Sequence, residues 1–331
     1  MRTKKYGLIE VPRTAKDWIA GGVSGIEPKV LVPDGNWYGY LPSFEHQSDS
    51  KLDTMACVTF SALNCIEGLF NFYIQSGQIP KTDFDWLKAT GYLDNNNIIN
   101  FSDRYIAKLS GTTPQGNSYT GVGDAIRKYG LVPENFWKFN DAFDWNQYYS
   151  DILPSVISTG QEFLTRFKIN YEFVQNNQLA RVLQSAPIQA GIYAWTKLDE
   201  NGAYTDRGIK MANHAVTLWS FDTQGRPMIF DSYDKAVKVL VRGYNFGSSV
   251  RYSLNFINSM PKPTIKLENN CLVNESEKNG EFGIHIDGKI LVASAERLAH
   301  LETTWIMLNT DFNNKKAIGK KDWDSFSHKM F

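Results

Sequence analysis

Apolar positions divide the chain into a helical first part and a stranded second part. From Met55 to about Gln75, ACVTFSALNCIEGLFNFYIQ spaces Phe60, Leu63, Cys65/Ile66 and Leu69/Phe70 at helical intervals, which predicts a long, mostly buried helix closed by Ser76-Gly77. Asp53 and Thr54 stand before it as N-cap candidates. Further helices are expected over 101–109, over 121–129 with Gly130 as the cap, and in two segments between Asp144 and Thr165. After about Pro187 the pattern changes to PIQAGIYAW, HAVTLWSFD, RPMIFDSYD and AVKVLVRGY, four predicted strands with turn residues between them. Helices followed by strands imply an α+β fold with the two kinds of element segregated.

Around this body lie segments without a clean period. Residues 1–45 are rich in Gly and Pro and read as an N-terminal extension lying on the main domain of residues 46–257, or as a lid over it. NSMPKPTIKLENN, over 258–270, reads as a linker. Residues 271–331 read as a small C-terminal module: GEFGIHIDGKILVAS is a hairpin turning at Asp287-Gly288, followed by a short helix over 295–304.

Composition narrows the classes of function. With 331 residues, 42% of them hydrophobic and 21% charged, the chain is a folded one rather than a disordered one. The 35 Lys+Arg balance 35 Asp+Glu, so no net field attracts nucleic acid or an anionic membrane. The apolar run Ala56–Ile66 is broken by Thr59, Ser61 and Asn64, short of the roughly 20 residues of a membrane span. The first residues carry no apolar signal region, so no secretory signal is expected and the expected location is the cytoplasm. Cys57, Cys65 and Cys271 fit neither a zinc knuckle nor a redox pair, and His46, His285, His300 and His328 are scattered. No metal and no cofactor is expected.

The chemistry that remains centres on Cys57. It falls in the first turn of the long helix, where unpaired N–H groups and the positive end of the helix dipole favour a thiolate. The alternative is an apolar core thiol, the reading that suits Cys65 in mid-helix. A second feature is the predicted hairpin of 214–221 and 226–233, turning at Asp222–Gly225. It places His214 and Asp231 opposite each other on the face shared by Val216, Leu218 and Ile229. An imidazole held by a carboxylate is a base with its orienter. The alternative is a structural histidine.

Cys57, His214 and Asp231 occur in that order, 157 and 17 residues apart. This order and the local texts ACVTFSALNCIE, MANHAVTLWSFD and MIFDSYD resemble the papain-like cysteine peptidases. FSDRYIAKLSGT and GNSYTGVGDAIRKYGLVPENFW resemble the family's early helix, its glycine-bearing substrate wall and the following helix, over about residues 40–255 in all. The last of these texts is similar to papain-like proteins of bacteriophages and bacteria. The resemblance implies a two-lobed fold, a helical lobe with the nucleophile and an antiparallel β-barrel-like lobe with the histidine. It implies Cys57 as nucleophile, His214 as general base and then acid, Asp231 as orienter and Tyr233 covering the Asp231–His214 contact. Gln47 would form the oxyanion hole with the Cys57 N–H. Gly116, Asn117, Ser118 and Tyr119 would be the substrate wall, with Asn213 and Tyr233 also at the substrate.

Three positions depart from the family pattern: Val58 replaces Trp, Asp231 replaces Asn, and Gln47 lies ten residues before Cys57. The implied activity is hydrolysis of peptide or isopeptide bonds in a polypeptide substrate. The alternatives are a transglutaminase-like acyltransferase or leader-peptide-type peptidase, and an inactive papain-fold structural or binding protein in a larger particle such as a virion.

Overall fold

The computed structural model describes residues 6–14, 17, 19–20, 29–48, 51–194, 197–205, 208, 211–233 and 236–257, and four strands within 265–294. Helices come first: α1 (Cys57–Gln75), α2 (Lys81–Ala89), α3 (Asp103–Leu109), α4 (Tyr119–Tyr129), α5 (Trp145–Tyr148) and α6 (Pro154–Leu164). Strand β1 (Phe167–Val174) and the short α7 (Leu179–Val182) lead into β2 (Ile188–Ile192), β3 (His214–Phe221), β4 (Pro227–Phe230), β5 (Val237–Val239) and β6 (Ser249–Phe256). These six strands make one antiparallel sheet in the order β1-β6-β2-β3-β4-β5. The expected α+β organisation is what the structure shows. Helix α2 and strands β1 and β6 are additions to it.

The chain divides into two compact units, Met1–Arg13 with Pro28–Ser259, and Thr14–Glu27 with Met260–Phe331. In the second, β7 (Ile265–Glu268) pairs with β8 (Cys271–Asn274), and β9 (Glu281–Ile286) pairs with β10 (Lys289–Ser294). The last pair is the hairpin expected there. Strand β7 falls inside the stretch read as a linker, and the helix expected over 295–304 lies outside the described residues.

Helix α1 organises the first unit. At 19 residues it is long and apolar enough by length and composition alone to cross a bilayer. Burial of 89% of its most apolar window assigns that apolarity to a protein core instead. Buried polar bonds hold it in register with the sheet. Gln189 on β2 donates from Nε2 to the Val58 carbonyl (2.6 Å) and to Ser61 Oγ (2.8 Å). Thr217 on β3 donates to the Ser61 carbonyl (3.1 Å). Such bonds are costly to leave unmade, so they set the azimuth and depth of α1 and thereby the place of its first residue.

The start of α1 corrects one expectation. Neither Asp53 nor Thr54 caps it: the N-cap is Ala56, which makes no side-chain bond. Asp53 instead accepts from Met55 N–H (3.2 Å), and Met55 is held at φ 57°, a left-handed conformation that non-glycine residues rarely adopt.

On the far side of α1, Glu67 accepts from Phe101 N–H (2.8 Å), close to Glu45, Asp103 and Glu134. Glu45, Asp103 and Glu134 line a cavity of about 420 Å³. Burial and then the charge of Glu45 raise Glu67 and Asp103, and the same two causes raise Glu134 to about 8 from 4.5. A raised carboxyl means that the folded chain binds more protons than the unfolded one between these values, so stability falls as pH rises from 4.5 to 8. Glu134→Gln is expected to raise Tm at pH 8 by about 2–4 °C and to change it less near pH 4.5, as thermal denaturation would show.

Candidate active site

Cys57 is the first residue of α1 and is fully buried. Its N–H belongs to the opening turn, where no acceptor lies one turn earlier in the helix. His214 is the first residue of β3, and Asp231 follows the last residue of β4. Strands β3 and β4 pair Thr217 with Phe230 and Leu218 with Ile229, and the register shifts between Leu218 and Ser220. That register puts Asp231 diagonal to His214 rather than directly opposite. The two remain on one face because side chains alternate along a strand. His214 Nε2 lies 2.7 Å from Asp231 Oδ1, and both side chains are completely buried. With Nε2 on Asp231, Nδ1 is the ring nitrogen left to face Cys57, whose charge acts on the imidazole.

The electrostatics of this trio follow from burial and neighbours. Burial alone would push His214 down, but the charges of Asp231 and Cys57 overcome it and raise the imidazole to about 9. Burial pushes Asp231 upward, and His214 and Lys238 more than reverse that, leaving it below 3.8. Lys238 Nζ sits 2.5 Å from Asp231 Oδ2 and donates to the Tyr233 carbonyl (3.0 Å) with its side chain only 3% exposed. Lys238 was not anticipated from the sequence. Lys238 pairs with Ile229, which pairs with Leu218, so the register of β5 against β4 brings its side chain to the face that carries Asp231.

Gln47 is fully buried beside the loop after β4. Its N–H donates to the Ser232 carbonyl (3.0 Å), its Oε1 accepts from Ser232 Oγ (2.6 Å), and its carbonyl accepts from Thr54 Oγ1 (2.8 Å). Its Nε2 is buried with no acceptor among the described residues. Tyr233 lies against the imidazole, ring centroids 5.1 Å apart, and its hydroxyl donates to Asp53 at 2.8 Å. Asn213 accepts from Ala194 N–H through Oδ1 (2.9 Å).

The proposed wall has mixed duties. Gly116 adopts φ +105°, which requires glycine. Asn117 donates from Nδ2 to Ser110 Oγ (2.9 Å) and Thr112 Oγ1 (3.2 Å), bracing the loop. Ser118 caps α4 by accepting from Gly121 N–H (3.2 Å), and Tyr119 is buried.

The N-terminal segment lies across these residues. Leu8 forms a parallel bridge with Asn117, whose N–H donates to the Gly7 carbonyl (2.8 Å) and whose carbonyl accepts from Ile9 N–H (2.8 Å). Leu8 N–H donates to the Asn213 carbonyl (3.0 Å). The Tyr6 ring lies 5.1 Å from the His214 ring and meets Tyr233 edge-on at 5.8 Å. Glycine is required at the tightest point: a Cβ on Gly7 would sit 2.2 Å from the Met55 carbonyl oxygen, and one on Gly116 would sit 1.8 Å from the Gly7 carbonyl oxygen. Among the described residues no group of three His, Cys, Asp or Glu side chains could hold a metal ion.

Comparison with known proteins shows the fold. Xylellain, a cysteine protease from Xylella fastidiosa, matches with a TM-score of 0.50 at 15% identity, over 77% of this chain and 98% of that one. Procathepsin L 3 from the larval midgut of Tenebrio molitor matches with a TM-score of 0.47 at 17% identity, over 72% and 76%. The chain has the papain-like α+β fold. No family model matches the sequence, and no curated protein matches it.

Proposed function

We propose that the protein is a cysteine peptidase whose own N-terminal segment covers the reacting groups. The observation that carries this reading is the buried His214–Asp231 pair, its imidazole under the charge of a buried Cys57 at the start of α1. In this reading the Cys57 proton passes to His214 Nδ1, and the sulfur attacks a peptide carbonyl carbon. The oxyanion is met by the Cys57 N–H and Gln47 Nε2, both held in place before the reaction begins. His214 then returns the proton to the leaving amine and later takes one from the water that releases the acyl group. Asp231 keeps Nε2 as the donor side of the ring and stabilises the imidazolium, which the raised His214 pKa already favours.

The cover follows from the same geometry. Tyr6 and Leu8 occupy the space around His214 and the backbone groups of Asn117 and Asn213, so a substrate strand reaches them only after residues 6–10 leave. The test is intact mass and peptide mapping after exposure to an epoxysuccinyl inhibitor. Single-site labelling at Cys57 is expected, slow in the full chain and faster once residues 6–10 are displaced. Failure of any such variant to label while it remains folded would instead support a papain fold used for binding.

A further inference from the structure

Side chains of the covering segment alternate as in a strand: Leu8 is buried, Ile9 is 41% exposed, and Glu10 turns back toward the protein. Glu10 Oε1 accepts from Ser248 N–H (2.7 Å), and Oε2 accepts from Ala212 N–H (3.2 Å). Two main-chain N–H groups from separate loops thus converge on one carboxylate. Charge-assisted bonds of this kind are shorter and stronger than neutral ones.

The walls are shaped around these particular side chains. A Cβ on Gly247 would stand 2.3 Å from Glu10 Oε1 and 2.6 Å from the Ala212 Cβ, so glycine keeps the carboxylate seat open. A Cβ on Gly191 would lie 3.1 Å from Leu8 Cδ2 and from the Tyr119 hydroxyl, so glycine also leaves room for Leu8. The two glycines are tied together, since Gly247 N–H donates to the Gly191 carbonyl (2.9 Å) and Gly191 N–H donates to the Ser248 carbonyl (2.9 Å). Cover and seat therefore form one recognition surface, in which main-chain groups of Asn117 and Asn213 hold the backbone and two glycine-lined seats read side chains two residues apart.

We propose that this cleft selects extended peptides bearing an acidic side chain, seated on the Ala212 and Ser248 N–H groups, two positions from an aliphatic one seated against Gly191 and Tyr119. The proposal rests on the peptidase reading only in making such a peptide the substrate class; the binding preference stands on its own contacts. It names the chemistry that displaces the cover, because an acidic peptide competes with Glu10 for the same two donors.

The test uses the full chain. Glu10→Gln is expected to raise the rate of Cys57 carbamidomethylation by iodoacetamide about tenfold by loosening the cover, with Cys65 as the internal control. Fluorescence anisotropy of labelled acetyl-Tyr-Gly-Leu-Ile-Glu-amide with the Glu10→Gln chain is expected to show saturable binding. The Gln-terminated analogue should bind about tenfold more weakly. Gly247→Ala, in the same chain and verified as folded, should erase the difference between the two peptides. Equal affinity for the Glu and Gln peptides, or no binding of either, would overturn the proposal. Selective binding with a Cys57 that stays unreactive throughout would keep the proposal and sink the peptidase reading.

Discussion

Replacing His214 by Ala is expected to lower the rate of Cys57 carbamidomethylation, and of any peptide turnover, by roughly 10²–10⁴, while Cys57→Ala reduces turnover to the uncatalysed level. The size follows from position. His214 feels the charge of Cys57, and it is held by a carboxylate at 2.7 Å in a site with no exposure. Water has no access from which to replace the imidazole. The measurement is a labelling time course at several reagent concentrations, with circular dichroism to verify that the variants fold. A His214→Ala chain that labels at the wild-type rate would mean that Cys57 draws no activation from the imidazole. The trio would then be a structural hydrogen-bond set.

Removing the Asp231 carboxylate is expected to give the largest loss of stability. Asp231→Ala removes the carboxylate 2.5 Å from the Lys238 ammonium, which is 3% exposed, and breaking a buried ion pair of this kind costs about 3–5 kcal/mol, or roughly 6–20 °C in Tm. Asp231→Ala combined with Lys238→Met should recover most of that loss, since two well-packed neutral groups need no counter-charge. Equal stability of the single and double variants would refute this account. Proton linkage adds a signature. Asp231 is depressed, so its contribution is present above pH 3.8 and is lost as pH falls through its folded value. His214 is raised, so its contribution is full below 6.5 and is lost as pH rises through about 9. Together they set a window of acid and alkaline loss that the Asp231→Ala chain should lack.

Much of the site was readable from one dimension because its parts obey local periods. Helical spacing after Met55 placed Cys57 in the first turn, and the structure begins α1 at that residue. Strand alternation placed His214 and Asp231 on one face, and they are bonded there. The predicted direct pairing is instead a diagonal one, since β3 and β4 pair in a register set by the turn and by an irregularity between Leu218 and Ser220, which alternation does not encode. Helix α2 and strands β1 and β6 were not anticipated. Strand β1, FKINYEFV, alternates polar and apolar residues weakly, and it gains definition by pairing with Ser249–Phe256, about eighty residues later.

The residues that escaped prediction share a cause. Lys238 reads as an ordinary strand lysine until β5 folds beside β4 and turns it onto Asp231. Gln47 became a candidate by resemblance, but its buried, unspent Nε2 depends on Ser232, 185 residues away, taking up its Oε1. Tyr6 to Glu10 carry no period at all, and their place over His214 comes from bonds to Asn117, Asn213, Ala212 and Ser248. By itself, then, the sequence determined most of the elements, the place of Cys57 at a helix start and the shared face of His214 and Asp231, because backbone periodicity dictates which way neighbouring side chains point. Only the tertiary structure decided the buried lysine, the unspent Gln47 amide and the segment against His214, because those depend on chain closure over long separations, where no local period applies.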